Sequence, residues 1–372
     1  MTSRPVISCP KPSLMTSRGF TLIELLVAMS IGLVVVLAVG YVFVGSRQTY
    51  RAQDAAARLQ EGARYAYEVL SNDIRMAGFT GCNTSNPQNV INVAGNNDSD
   101  WYKNLFGASG ALAVQPVYGY QDVVPADVCT TASTAPCYTQ GDGLTILRAD
   151  TSKEYIVQSH ASPTFTLTAA HDINQGEVLV VTNCNDATAL FQATAAAGTT
   201  LDHAASGTPG NSTAILAGSY AAASRIYRLN AVTYYIGTNP SGEPALYRRK
   251  LTSSAGNAST TAEELVEGVE DMQITYGVDT DATADRQVNG YQTATEIENG
   301  SGSPAVPGAD TAARWGRVLS VRISLLLRSP ENGITTQAQT YTYPPDAASA
   351  TTAADRRLRR VFTFVVSLRN RL

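Results

Sequence analysis

Three features of the sequence predict an α+β fold, in which one long amino-terminal helix packs on a large antiparallel β-sheet head with long loops. Residues Phe20 to Val44 form a 25-residue apolar run broken by one charge, Glu24, long enough to cross a hydrocarbon core of about 30 Å as a helix. From Ala52 to Ala77, small or apolar residues recur at spacings of three and four, the mark of one helical face. Beyond Gly81 that period gives way to short β-prone runs separated by Gly, Pro, Asn and Asp.

The amino terminus carries the chemistry. Residues 1–19 hold Arg4, Lys11 and Arg18 and no acid, so the positive-inside rule keeps this end in the cytoplasm and exports the rest. An ordinary secretory signal ends its apolar core with a small-residue cleavage site. Here the small residue, Gly19, precedes the apolar run, and cleavage between Gly19 and Phe20 would leave the greasy helix on the product. Glu24 is the anomaly: a carboxylate inside lipid costs roughly 2.5–3.5 kcal/mol on translocon scales and calls for a partner. The new amine at Phe20 of one subunit can neutralise Glu24 of a neighbour and so set the axial register of packed helices. The plainer alternative is a signal anchor whose Glu24 snorkels to the membrane edge. Met15 offers a second start for a leader of ordinary short length.

The helix continues past the membrane stretch. Ala52, Ala55, Leu59, Ala63, Ala66, Leu70, Ile74 and Ala77 share a face, while Arg51, Asp54, Arg58, Glu61, Arg64, Glu68 and Arg75 occupy the other, with i,i+4 pairs worth about 0.2–0.5 kcal/mol each. Gly78 and Gly81 are its terminators. At about 1.5 Å per residue the rod from Phe20 to Ala77 is near 90 Å long. The predicted divisions are a leader at 1–19, a membrane half of the helix at 20–44, an amphipathic half at 45–80 and a β-rich periplasmic head at 81–372.

In the head, strands are expected at Leu144–Arg148, Glu154–Gln158, Val178–Thr182, Arg225–Ile236, Ala245–Leu251, Met272–Tyr276, Val318–Arg328 and Val361–Leu368. Val318–Arg328 alternates Leu319, Val321, Ile323, Leu325 and Leu327 against Ser320, Arg322, Ser324 and Arg328. Ala187–Ser224 and Asp279–Ala313, rich in Ala, Thr and Ser, read as long loops or poorly ordered excursions.

Composition bounds the function. Of 372 residues, 44% are hydrophobic and only 16% charged, which suits an exported β-rich protein. The net charge is −4, and without Arg4, Lys11 and Arg18 it is −7, with 24 basic against 31 acidic groups. Nothing global draws such a chain to nucleic acid. Four cysteines follow the leader, where Cys9 lies: Cys82, Cys129, Cys137 and Cys184. An even number in an oxidising compartment implies two disulfides, with three possible pairings. The short Thr, Ala, Ser and Pro spacer can join Cys129 to Cys137, leaving Cys82 with Cys184; free thiols or a metal site are the alternatives.

The string Arg18-Gly-Phe-Thr-Leu-Ile-Glu24 resembles the class III signal of type IV prepilins and type II secretion pseudopilins. The resemblance implies a type IV pilin-like fold, cleavage after Gly19 by prepilin peptidase, N-methylation of Phe20, and Glu24 as the acidic fifth residue of the mature chain. Leu59-Gln-Glu-Gly-Ala-Arg-Tyr65, Asp73-Ile-Arg-Met-Ala-Gly-Phe-Thr-Gly-Cys82, Leu265-Val-Glu-Gly-Val-Glu-Asp-Met-Gln-Ile-Thr-Tyr-Gly277, Val318-Leu-Ser-Val-Arg322 and Ser367-Leu-Arg-Asn370 are similar to the PilW family of large minor pilins. That implies an inner-membrane protein that primes pilus assembly and ends near the fibre tip. Its implied partners are other minor pilins, the major pilin, the assembly platform, the lipid bilayer before assembly, and a large tip adhesin. A J-class pseudopilin of type II secretion, and a tip subunit that binds cells or DNA directly, are the competing readings.

Other constellations point nowhere firm. His160, His171 and His203 lack any catalytic companion motif and read as surface or loop residues; no enzyme chemistry and no cofactor is expected. Asp279, Asp281 and Asp285 echo the first half of a calcium loop, but Ala284 stands where the turn needs glycine and Gly290 where a glutamate should close the shell; a solvated acidic loop is the expectation. Arg356, Arg357, Arg359 and Arg360, with Arg369 and Arg371, form a basic cluster read as charges guarding the edge of the last strand.

Overall fold

The computed structural model describes residues 19–82, 87–92, 116–122 and 140–370. Helix α1 runs without interruption over Leu22–Met76. By its contacts the chain divides after Gln53 into two units, and Asp54 onward belongs with the head. The first unit holds the apolar part of α1. Among the described residues, α1 alone is long and apolar enough to cross a membrane.

Within the second unit the predicted helical face is buried as spaced: Ala55, Leu59, Ala63, Ala66, Leu70, Ile74 and Ala77 have almost no exposure. Two opposite-face pairs form at the surface, Asp54 with Arg58 at 3.1 Å and Arg64 with Glu68 at 3.2 Å. Helix α1 stops where glycine lets the backbone turn over. Gly78 has φ +76°, and a Cβ there would meet the Asn370 carbonyl oxygen at 2.7 Å. No other residue combines that conformation with that clearance.

Short strands β1 (Gln88–Asn89) and β2 (Val117–Tyr120) precede β3, which spans Gly143–Ala161. Strands expected separately at Leu144–Arg148 and Glu154–Gln158 are therefore one. Polar Asp150–Glu154 forms an irregularity in its pairing instead of a break. Then come β4 (Thr164–Leu167), β5 (Val178–Thr182), β6 (Thr188–Gln192), β7 (Ala195–Ala197), β8 (Thr200–Asp202), β9 (Arg225–Thr238), β10 (Pro244–Ser254) and β11 (Asn257–Glu267). These eleven strands make one sheet, ordered β1-β6-β5-β9-β3-β4-β8-β7, with β10 and β11 continuing from β9 and β2 lying on β3. Only β1 with β6 is parallel.

A second sheet is built from the carboxy-terminal part: β12 (Val269–Val278), β13 (Gly290–Gln292), β14 (Val318–Arg328) and β17 (Arg359–Ser367), in the order β13-β12-β14-β17, all antiparallel. Helices α2 (Ala294–Asn299) and α3 (Thr311–Trp315) and the small ladder of β15 (Thr340–Tyr341) with β16 (Thr351–Thr352) fill the connections.

The two long-loop expectations are thus corrected. Residues 187–224 contain β6, which pairs with β5 and is buried along its whole length, and the β7–β8 hairpin. Residues 279–313 contain β13, α2 and the start of α3. Thr293 and Glu296 close a capping box on α2, and Asp310 caps α3. Both caps are visible as Thr-x-x-Glu and an Asp three residues ahead of the amide it binds, but alanine-rich composition masked them. The alternation read in β14 is also incomplete, since Ser320 and Ser324 on its polar face are buried too.

One core joins α1 to both sheets: Leu59, Ala66, Leu70 and Ile74 pack with Leu144, Ile146, Val232 and Tyr234 of the first sheet and with Met272, Ile274, Ile323 and Leu325 of the second. Each large aliphatic side chain so buried contributes about 1.5–3 kcal/mol relative to exposure. At the last turn of α1 the packing includes a charge. Asp73, 2% exposed, accepts from Arg148 Nε and pairs with its Nη2, both at 2.9 Å, and from the Tyr234 hydroxyl. An acid at a helix carboxy terminus opposes the macrodipole, so its place there depends on Arg148. Asp73→Ala leaves the Arg148 guanidinium buried without its partner and should destabilise the head by about 3–5 kcal/mol. Thermal unfolding of the detergent-solubilised chain checks this, and Leu25→Ala, on the membrane-type stretch, should leave the same transition in place.

Candidate functional site

Gly19 and Phe20 are exposed and lie just ahead of α1, with Phe20 88% exposed. Thr21 is the cap of the helix. Its hydroxyl accepts from the Glu24 N–H at 3.3 Å, while Glu24 Oε2 accepts from the Thr21 N–H and hydroxyl, each at 3.0 Å. This is a reciprocal capping box. Glu24 therefore does two things, carrying the single charge of the stretch and closing the first turn of the helix. Thr21-x-x-Glu24 was the signal for this second role, overshadowed by the cost of the charge.

From Phe20 to Val44 every residue is exposed, among them Leu22, Ile23, Leu26, Met29, Leu33, Leu37 and Phe43. A helix apolar on all sides is stable only when surrounded, by lipid or by other helices. The few polar side chains turn inward: Ser30 Oγ donates to the Leu26 carbonyl and Thr49 Oγ1 to that of Gly45. Such a surface can enter a membrane or a helical bundle, with Glu24 marking its first turn.

Of the cysteines, Cys82 and Cys184 are joined in a disulfide with Cα atoms 4.9 Å apart and a sequence separation of 102. It ties the segment just beyond α1 to the turn after β5. In the chain-entropy account, closing a loop of that size stabilises by about 4–5 kcal/mol. Cys129 and Cys137 lie outside the described residues.

Asp279, Asp281 and Asp285 do converge, but Asp279 is buried and not solvated, and its oxygens are already engaged. Oδ1 accepts from the Asp281 N–H and pairs with Arg317 at 3.5 Å; Oδ2 accepts from the N–H groups of Asp285 and Arg286. Burial alone would raise its pKa, yet the backbone donors and Arg317 hold it below the usual carboxylate value. This carboxylate organises a loop.

The histidine expectation is corrected for His203, which has no exposure. Its Nε2 lies 2.9 Å from His160 Nε2, and both rings pack on Phe165. The arginine cluster also divides. Arg357 and Arg359 are internal, binding Glu243, Glu270 and Asp355, with Arg328 bridging Glu243 and Glu270; Arg356 and Arg360 are exposed.

An apolar amino-terminal helix opened by a Gly-Phe junction and a glutamate, together with a β-sheet head packed on its second half, defines a type IV pilin-like protein. Residues 14–40 match the family model described as the prokaryotic N-terminal methylation motif. Residues 233–370, from the middle of β9 through β17, match the family described as Type IV Pilus-assembly protein W (PilW). Together these matches support a type IV pilus minor pilin of the PilW family. It is also similar to the "Pilin-like protein PilA3" of Thermus thermophilus, 42% identical over 77 residues, which cover 20% of this chain and 33% of that protein. The match thus spans about a third of that relative's length. No solved structure matches.

The two imidazoles share one hydrogen between facing nitrogens, so the folded state resists charging both. Burial, then the His160 neighbour, pushes His203 down to about 4, and burial lowers His160. Folded values below the unfolded one mean that the unfolded chain takes up protons first as pH falls. Stability attributable to the pair is complete above about pH 6.5 and declines between there and pH 4, by on the order of 3 kcal/mol at about 1.4 kcal/mol per pH unit. Chemical unfolding of wild type and a His160→Gln/His203→Phe variant across this range should show the excess slope in wild type alone.

Proposed function

We propose that this chain is cut after Gly19 by prepilin peptidase, methylated at Phe20, and held in the inner membrane with its head in the periplasm. There it joins other minor pilins to prime assembly of a type IV pilus and enters the fibre near its tip, where a large adhesin and the major pilin are its neighbours and the membrane platform drives its extraction. The observation that carries this reading is Glu24, the single charge of the wholly exposed apolar stretch from Phe20 to Val44, one turn from the amine that cleavage would create. Thr21 occupies only Oε2, and no described residue bonds Oε1. A neighbouring subunit's amino terminus can take that oxygen, relieving the cost of a carboxylate in an apolar bundle and fixing where adjacent helices lie along the axis. Arg18 and Lys11 ahead of the helix support the periplasmic orientation of the head.

The capping box makes the test sharper than a truncation. Glu24→Gln keeps an oxygen for the Thr21 cap and removes the charge, whereas Glu24→Ala removes both. Mass spectrometry should find N-methyl-phenylalanine from Phe20 at the mature amino terminus of wild type and of both variants. Both variants should lower incorporation into sheared pili at least tenfold. Wild-type pili in Glu24→Gln would remove the charge from the mechanism and leave helix capping in its place; wild-type pili in both would defeat the reading.

A further inference from the structure

We infer that the open edge of β17 is a docking strand, completed by an extended acidic segment of another pilin subunit. This deepens the proposed function and rests on it.

In the β14–β17 ladder Leu327 faces Arg360 and Ser320 faces Ser367. Beyond the strand end, Leu368 N–H donates to the Leu319 carbonyl, and Ser329 N–H to that of Leu358. Antiparallel pairing alternates bonded and non-bonded pairs, so Arg360, Phe362, Phe364 and Val366 direct their backbone groups to β14. Arg359, Val361, Thr363, Val365 and Ser367 direct theirs outward. The first of these is already paired: the Gln339 carboxamide accepts from the Arg359 N–H and donates to its carbonyl, both at 2.8 Å, imitating one residue of a neighbouring strand. Past Gln339, no described residue bonds the outward groups of Val361, Thr363, Val365 and Ser367. β17 closes its sheet in the order β13-β12-β14-β17, with no strand beyond it among the described residues.

Exposed edges are usually blunted by a charge, a proline or a bulge within the strand. From Val361 on this one has none of these: Val361-Phe-Thr-Phe-Val-Val-Ser-Leu368 is uncharged and regular in register, and Val365 is 49% exposed. The charges stand at the ends instead. Arg356, Arg360 and Arg369 are exposed, and no described carboxylate forms an ion pair with them, although the chain as a whole is acidic. A second copy is a poor occupant. Laid antiparallel with outward residues facing each other, its β17 would bring the Arg359–Arg360 end of one copy against Arg369 of the other, and laid parallel it would align each arginine with itself; like charges across a ladder are destabilising. A strand with acidic residues at its ends satisfies both the backbone and the arginines, with main-chain bonds supplying affinity and the flanking charges selecting the partner.

The test is a photo-crosslinking amino acid at Val365 of the full-length chain in cells that make pili, with the crosslinked peptide identified by mass spectrometry. The expected product is an acidic segment of a different pilin subunit. Thr363→Pro deletes an outward N–H that β14 does not use and should reduce the yield at least tenfold; Arg360→Glu/Arg369→Glu, which changes only exposed side chains, should do the same. Crosslinks to a second copy, to lipid, within the same chain or to nothing would overturn the inference, as would a yield that survives both variants. Surface pili that require Glu24 without any such crosslink sink the docking strand and spare the proposed function. A crosslink to an acidic segment of some other kind of protein, in cells whose pili ignore Glu24, sinks the function.

Discussion

The head is organised by the burial of one face of α1 against two sheets at once. Leu59, Ala63, Ala66, Leu70, Ile74 and Ala77 meet β3 and β9 of the first sheet and β12 and β14 of the second, so neither sheet could bury its inner face without the helix. Alanines along this face let the backbone come close to the strands, and the large side chains between them fill the gaps. The Asp73–Arg148–Tyr234 cluster then fixes the last turn. A buried carboxylate tolerates only the placement in which its partners meet it, and a slipped register would leave it uncompensated.

The apolar first half of the same helix obeys the opposite rule. Its surface gains nothing inside its own chain and must be covered by lipid or by other subunits. Within that stretch Glu24 serves two needs at once, because the box with Thr21 satisfies the first amides of the helix while the rest of the carboxylate remains available. The capping role and the charge role are compatible, which lets a costly residue persist at the mouth of an apolar rod.

Several polar groups that resemble sites are structural when seen in place. Asp279 collects backbone amides, the Glu243, Glu270 and Asp355 carboxylates gather Arg328, Arg357 and Arg359, and His160 with His203 closes the aromatic layer around Phe165. The partners of Glu243 and Glu270, and the two histidines, come from distant parts of the sequence, and such partners do not advertise themselves in a local pattern. Among the described residues, uncovered apolar surface runs along α1 before Val44, and unpaired strand backbone runs along the outer edge of β17.

By itself the sequence determined the elements whose signal is periodic or local. The buried face of α1 from Ala55 to Ala77, its end at Gly78, strands β5, β14 and β17, and the Gly19–Glu24 junction could all be read, because a helix repeats every 3.6 residues, a strand every two, and a membrane stretch needs only length and greasiness. The tertiary structure decided everything set by contact across the chain: that 187–224 and 279–313 carry ordered strands and helices, that Cys82 meets Cys184, that Asp73 is buried against Arg148, and that His203 lies inside. The reason is that alanine- and threonine-rich segments have weak preferences of their own and adopt whatever pairing their neighbours offer. A charge or an imidazole, for its part, is buried only where folding brings it a partner.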